Sequence, residues 1–153
     1  MQESTDDLIG WWAQDYSLPM YDDGIIYYKA PKSHYRKVFK RIERQTGLNF
    51  ERVRNPDKAE IICEIKYEDD GYYGYTAFNT AIPGKFRLSV DNKKRRYKKT
   101  MAHEIGHALG LGHLDHSRQD TVMSYGSYWK DNKYLSPVDI AAISEVFPII
   151  DLT

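Results

Sequence analysis

This sequence has a single cysteine, no formal net charge and no long apolar run. Cys63 is the only cysteine among the 153 residues, so no disulfide can form within the chain and the fold does not depend on an oxidising compartment. It lies in the strand-like stretch 60–65, which favours a small buried hydrophobe over a catalytic or metal-binding thiol. The 22 basic and 22 acidic residues give a formal net charge of zero, so no general field attracts nucleic acid or an anionic membrane.

Membrane-spanning and secretory patterns are also missing from the sequence. Its apolar runs are a few residues long, far short of the roughly 20 residues that a spanning helix needs. Residues 1–7 are polar and acidic, without the basic start and apolar stretch of a secretory signal. We therefore expect no membrane partner, and a cytoplasmic location or release by a non-classical route unless a signal has been removed.

The order of local patterns predicts one α+β domain over residues 1–153, with 1–23 as an N-terminal extension that packs on it. Strand patterns occur at 24–28, 48–53, 59–67 and 86–90, and a Gly- and Tyr-rich edge strand or cleft rim at 71–79. A first helix is expected from an N-cap at Ser33 to a stop at Gly47, and a second helix from about Tyr97. These elements predict one twisted mixed sheet with helices packed on it.

The clearest helix start lies near the C-terminal end. Ser136 is a suitable N-cap, Pro137 suits the first helical position, and Asp139 stands third, where its carboxylate can bond back to the N-cap. Apolar residues then recur at helical spacing until Pro148. The sequence therefore predicts a third, C-terminal helix that begins at residue 137.

The stretch 103–113 carries the strongest chemical signal. It reads His-Glu-Ile-Gly-His-Ala-Leu-Gly-Leu-Gly-His. On a helix, His103 and His107 lie one turn apart on the same face and can bind one metal ion together. His113 would lie about 15 Å from His103 along the axis if the helix continued, so the helix must end and turn back. Gly110 can take the positive φ that such a break requires.

Three neutral imidazoles around an open fourth position are the ligand set of a catalytic zinc ion. The ion would lower the pKa of a bound water and polarise a carbonyl group, and Glu104 would act as the general base. A structural zinc site fits less well, because it needs a fourth protein ligand and leaves Glu104 without a role. Histidines held only by hydrogen bonds in the core would leave their shared helix face unexplained.

This pattern is followed by the stretch 121–125, in which Met123 stands ten residues after His113, and together they resemble the metzincin clan of zinc peptidases. The resemblance covers roughly residues 24–148 and is closest to the matrixins. It implies a zincin-like fold with an active-site helix, a second packing helix and a C-terminal helix. It also implies that Met123 forms an apolar floor beneath the three imidazoles. Tyr125 matches the tyrosine with which astacin-like and serralysin-like members stabilise an oxyanion.

The resemblance implies an endopeptidase with one catalytic zinc ion and a protein or peptide as its partner, and we expect it to be a monomer. The stretch 73–78 could bind an extended peptide by adding it to the sheet as a strand. The second zinc site of many matrixins is not encoded, because no histidine occurs between His34 and His103. Calcium is a further candidate ligand, but no recognisable calcium-binding loop indicates it.

Two other functions stay open at this point. A hydrolase of another amide, or a peptidase of very narrow specificity, would hold the same zinc ion but cleave few proteins. A non-proteolytic binding module would keep zinc for structure and use the basic run 93–99 to hold a protein partner; no recognised nucleic-acid module accompanies that run. The presence of both Glu104 and Tyr125 favours the peptidase.

Overall fold

The computed structural model describes residues 8–10, 24–66, 74–78, 85–91, 97–113, 121–124 and 134–147. Its strands and helices follow the predicted order: β1 (Ile26–Lys29), α1 (Ser33–Thr46), β2 (Phe50–Arg52), β3 (Ile61–Lys66), β4 (Gly74–Phe78), β5 (Phe86–Asp91), α2 (Tyr97–Ala108) and α3 (Pro137–Val146). A short 3-10 turn, Pro56–Lys58, connects β2 to β3. The predicted α+β class with one mixed sheet is confirmed.

The sheet has the strand order β2-β1-β3-β5-β4. In this spatial order, neighbouring strands from β2 to β5 pair in parallel. The last strand, β4, pairs antiparallel with β5. Leu88 at the centre of β5 pairs with Cys63 on one side and with Thr76 on the other. Within the described residues β4 has a neighbouring strand on one side only, so its other edge carries backbone groups that can pair with an additional strand.

The helices α1 and α2 contact each other, and each of them contacts the sheet. Helix α2 contacts β4 and β5, and α1 contacts β2 and also α3. The core between them is apolar and includes Cys63, which is 3% exposed and agrees with the expected buried hydrophobe. No helix in the described ranges is long and apolar enough to cross a membrane.

Helix α1 begins one residue earlier than predicted. The N-cap is Lys32, which is extended at φ −119° and makes no side-chain cap, and Ser33 is the first helical residue. The amides of Tyr35 and Arg36 both donate to the Lys32 carbonyl, at 3.1 Å, and Tyr35 is fully buried. The start is therefore set by the apolar face that packs on the core, which outweighs the preference of serine for a cap. The predicted end at Gly47 is confirmed, with φ 79°.

Helix α3 begins as predicted, with a complete capping box. The Ser136 hydroxyl accepts from the Asp139 amide, the Asp139 carboxylate accepts from the Ser136 amide, and Pro137 is the first helical residue. Both groups are fully buried. Because this signal depends on residues three apart, it can be read from the sequence without knowledge of the fold.

Candidate metal centre

Helix α2 brings His103 and His107 onto one face, one turn apart. The His103 Nε2 lies 3.1 Å from the His107 Nε2, and the His113 Nε2 lies 3.0 Å from each of them. In the described part of the chain, these three side chains are the one cluster of ligating groups that could hold a metal ion. We refer to His103, His107 and His113 as the histidine triad.

A tight chain reversal after α2 places the third histidine. Gly110 has φ 99°, and its amide donates to the His107 carbonyl at 3.0 Å. The Leu111 amide donates back to the Gly106 carbonyl at 2.9 Å, which closes the last turn of the helix. The predicted break at Gly110 is therefore present, and it returns His113 toward the helix face that carries the other two imidazoles.

Backbone carbonyls fix two of the three rings. The His103 Nδ1 lies 2.8 Å from the Val122 carbonyl, and the His107 Nδ1 lies 2.7 Å from the Leu111 carbonyl. Because a carbonyl oxygen can only accept, each Nδ1 must carry the proton. In the neutral imidazole, each Nε2 then presents a lone pair to the centre of the triad.

The lone pairs of the His103 and His107 Nε2 atoms face each other at 3.1 Å and repel unless a cation lies between them. Protonation of the triad is unfavourable near neutral pH. Burial lowers the pKa of His107 to about 3 and that of His113 to about 4, and it also lowers the pKa of His103. A tetrahedral zinc ion bound at about 2.0–2.1 Å would separate its ligand nitrogens by about 3.3 Å. The donor set and its spacing therefore fit zinc.

Glu104 lies beside the triad with its carboxylate buried, 5% exposed. Its Oε2 is 4.0 Å from the His103 Nε2, and its Oε1 accepts a hydrogen bond of 2.6 Å from the Thr76 hydroxyl on β4. Burial raises the pKa of Glu104 to about 7, and the hydrogen bond from Thr76 acts in the opposite direction. A carboxyl group with a pKa near neutrality can both accept and release a proton, as a general base requires.

The turn 121–124 packs against helix α2 at Gly106, and Met123 in this turn is fully buried. Asp139 of α3 holds this turn. Its carboxylate accepts from the Val122 amide at 3.0 Å and from the Thr121 hydroxyl. Since Val122 in turn supplies the carbonyl that orients His103, α3 is connected to the triad through two consecutive contacts.

The N-terminal residues Leu8–Gly10, which we call the clasp, pair with the chain reversal. The Gly10 amide donates to the Gly110 carbonyl at 2.7 Å, and the Gly112 amide donates to the Leu8 carbonyl at 2.6 Å. Ile9 bridges Leu111 in the antiparallel sense, and the Leu8 side chain is fully buried in the core. Leu8 therefore lies in the core and supports the segment that carries His113.

The sequence pattern predicts the triad and Glu104 as site residues but not the contacts that support them. Thr76, Leu8 and the second role of Asp139 were missed, because each acts through a contact with a distant segment. The alternation of β4 offered a weak signal for Thr76, since Gly74 and Thr76 must face the same side. Tyr125 and most of the basic run 93–99 lie outside the described residues.

The mixed sheet with its packed helices and the histidine triad are the features expected of a metzincin-like metallopeptidase domain. The comparison with known families agrees with this class. The family model of the matrixins matches residues 14–148, and the chain belongs to this family. A search of curated proteins finds no match. A chain in the solved structure of the GM1-bound form of the ECX AB5 holotoxin is similar, with a TM-score of 0.55 and 17% identity over 97% of this chain and 82% of that one. At this identity the likeness shows the fold alone.

Proposed function

We propose that this chain is a zinc-dependent endopeptidase in which the histidine triad holds the metal and Glu104 is the general base. The observation that carries the proposal is the arrangement of the three Nε2 atoms, which lie 3.0–3.1 Å apart with the Glu104 carboxylate beside them. Membership of a peptidase family supports the reaction class.

The triad residues would bind zinc through their Nε2 atoms, and the Val122 and Leu111 carbonyls would keep the rings in the binding tautomer. Zinc, when bound, supplies a Lewis acid that acidifies water and polarises the scissile carbonyl. Three protein ligands leave a fourth position for substrate or water, which distinguishes a catalytic zinc site from a structural one.

Glu104 would take a proton from the attacking water at Oε2, the oxygen that lies toward the triad. The same carboxyl group would then deliver the proton to the nitrogen of the departing amine. The burial that raises its pKa to about 7 keeps both directions of transfer accessible near neutral pH. No covalent intermediate with the enzyme is required, because water is the nucleophile.

Among the residues that the structure describes, no strand pairs with the outer edge of β4, and this edge supports an extended peptide as the substrate. Strand β4 contacts α2, and a peptide that pairs with its free edge would run past the triad. Tyr75 on this strand is 46% exposed and is available to contact a substrate side chain. Backbone pairing of this kind recognises a peptide whatever its sequence, so generic protein substrates are expected to be cleaved.

Tyr125 is proposed as a second catalytic residue on the strength of its position two residues after Met123. Its hydroxyl would donate a hydrogen bond to the oxyanion that develops on the scissile carbonyl. A Tyr125→Phe variant is therefore expected to lower kcat by about 10- to 1,000-fold, with the zinc content unchanged.

Glu104→Gln tests the proposal. The parent should cleave denatured proteins and a peptide library, as mapped by mass spectrometry, and the variant should lose at least about 100-fold of that rate while it keeps its zinc. Glu51→Gln, at an exposed site on β2, is the matched control and should cleave like the parent. Unchanged turnover in Glu104→Gln would overturn the role of Glu104. A zinc-loaded parent that cleaves no peptide would favour the narrow amide hydrolase or the binding module.

A further inference from the structure

Strand β4 contacts Glu104 through the hydroxyl group of Thr76. The Thr76 hydroxyl lies 2.6 Å from the Glu104 Oε1 and 3.1 Å from the Glu104 carbonyl oxygen. A hydroxyl group has one hydrogen to donate, and the shorter distance assigns it to the carboxylate. The two oxygens of the carboxylate therefore differ: Oε1 is held by β4, and Oε2 lies toward His103, at 4.0 Å from its Nε2.

Gly74, two residues before Thr76, makes this approach feasible. A Cβ atom at position 74 would come within 2.7 Å of the Thr100 Cγ2, 2.8 Å of the Ser89 carbonyl oxygen and 3.3 Å of the Glu104 Cγ. Side chains two apart on a strand share a face, so Gly74 and Thr76 both lie toward α2. The missing side chain at 74 allows β4 to lie close enough for the hydroxyl at 76 to reach Glu104.

We infer that Thr76 is a positioning residue for Glu104, whose hydroxyl holds Oε1 so that Oε2 stays turned toward the histidine triad. This inference rests on the proposed function, in which Glu104 is the general base. Without the hydroxyl group of Thr76, the Glu104 carboxylate can rotate about its side-chain torsions. Neither of its oxygens would then be held within reach of the attacking water. A displacement of about 1 Å in a reacting group is enough to cost about 100-fold in rate.

Strand β4 would then position both the substrate peptide and the general base Glu104. A peptide that pairs with the free edge of β4 is held by backbone hydrogen bonds, and the base is held by a side chain of that strand. The position of the scissile bond and the position of the base are thus fixed by one rigid element, in contrast to a base that relies on its own helix alone.

Thr76→Val tests the inference, because valine keeps the shape of threonine and removes the hydroxyl. We expect kcat to fall by about 10- to 100-fold with KM and zinc content within about twofold of the parent. Thr76→Ser restores the hydroxyl and should restore most of kcat. Thr46→Val is the matched control: it removes a buried hydroxyl that donates to the Ile42 carbonyl, within helix α1, and should leave kcat unchanged.

Crystal structures of the parent and Thr76→Val proteins give a readout that does not need activity. The parent should show Oε1 of Glu104 on the residue 76 hydroxyl, and the variant should show the carboxylate turned away or in more than one orientation. A parent-like kcat together with an unmoved carboxylate in Thr76→Val would overturn the inference while the proposed function stands. A zinc-loaded parent that cleaves nothing would end the proposed function, and the structures would still decide whether Thr76 sets the orientation of Glu104.

Discussion

Gly106 on helix α2 lies directly against Met123 on the turn beneath it. A Cβ atom built at position 106 would come within 2.6 Å of the Met123 Sδ and 3.3 Å of its Cε. Real Cβ atoms essentially never approach another heavy atom this closely, and Met123 is fully buried, so its side chain has little room to withdraw. The absence of a side chain at 106 therefore lets the turn 121–124 approach the helix that carries two of the histidines.

Gly106→Ala is expected to destabilise the protein in spite of the better helix propensity of alanine. Overpacking costs about 1–3 kcal/mol, and the propensity gain is about 1 kcal/mol, so we expect a net loss of about 1 kcal/mol in the free energy of unfolding. In a Met123→Ala background the obstacle is gone, and the same substitution should be neutral or stabilising. Urea unfolding of the four proteins measures this change of sign, and an equal loss in both backgrounds would contradict the contact.

Leu8→Ala should lower both stability and zinc affinity, because Leu8 anchors the clasp on the segment that carries His113. Loss of a fully buried leucine costs about 2–5 kcal/mol, and a loosened support should weaken zinc binding by about 10-fold or more. Leu48→Ala is the control, since Leu48 is also buried but lies directly after the C-cap of α1. It should cost similar stability and leave the affinity unchanged. Zinc competition titrations measure the zinc affinities of the two variants. Equal affinities in Leu8→Ala and Leu48→Ala would contradict a role for the clasp.

Asp139→Asn should destabilise the turn 121–124 as well as helix α3. The carboxylate accepts from Thr121, Val122 and Ser136, and an amide nitrogen in place of one oxygen leaves at least one buried donor unpaired. We expect a loss of about 2–3 kcal/mol in the free energy of unfolding. Asp57→Asn, at an exposed position, should change it by less than about 0.5 kcal/mol. A loss in the free energy of unfolding of Asp139→Asn that is as small as that of Asp57→Asn would show that the Asp139 contacts contribute nothing.

The metal-free protein should lose stability as the pH falls below about 6.5. Burial holds the pKa of His107 at about 3 and that of His113 at about 4, whereas the unfolded chain binds protons near 6.5. The unfolded state therefore gains protons first, and the free energy of unfolding drops across this window. Glu104 acts in the opposite direction, because its pKa is raised to about 7 in the folded state.

Comparison of the metal-free parent with metal-free Glu104→Gln separates the two effects. The variant lacks the opposing contribution of Glu104, so its stability should fall more steeply than that of the parent between pH 7 and pH 5. Urea unfolding at several pH values in the presence of a chelator measures both slopes. A variant whose stability rises as the pH falls in this range would contradict buried neutral imidazoles.

Features that depend on neighbouring residues could be predicted from the sequence. The spacing of His103 and His107, the break at Gly110 and the capping box at Ser136 are each contained within a few residues, and the structure shows the break and the cap as expected. The strand order was not predicted, because it depends on which distant segments pair. The single-domain boundary, the monomeric state and the role of Tyr125 stay predictions.

The supports of the site could not be predicted, for a physical reason. The Val122 and Leu111 carbonyls belong to the backbone, which every residue possesses, so no residue type marks them. Thr76 reaches Glu104 across 28 positions, and Leu8 reaches the chain reversal from the far end of the chain. Such contacts arise only when the sheet and helix α2 are packed together.

Measuring the zinc content and zinc coordination of the purified protein shows whether His103, His107 and His113 bind one metal ion. We expect one zinc ion per chain, an X-ray absorption spectrum that shows three imidazole nitrogens at about 2.0–2.1 Å, and loss of the ion in His107→Ala. A protein that takes up no zinc, or that holds it unchanged in His107→Ala, would contradict this expectation.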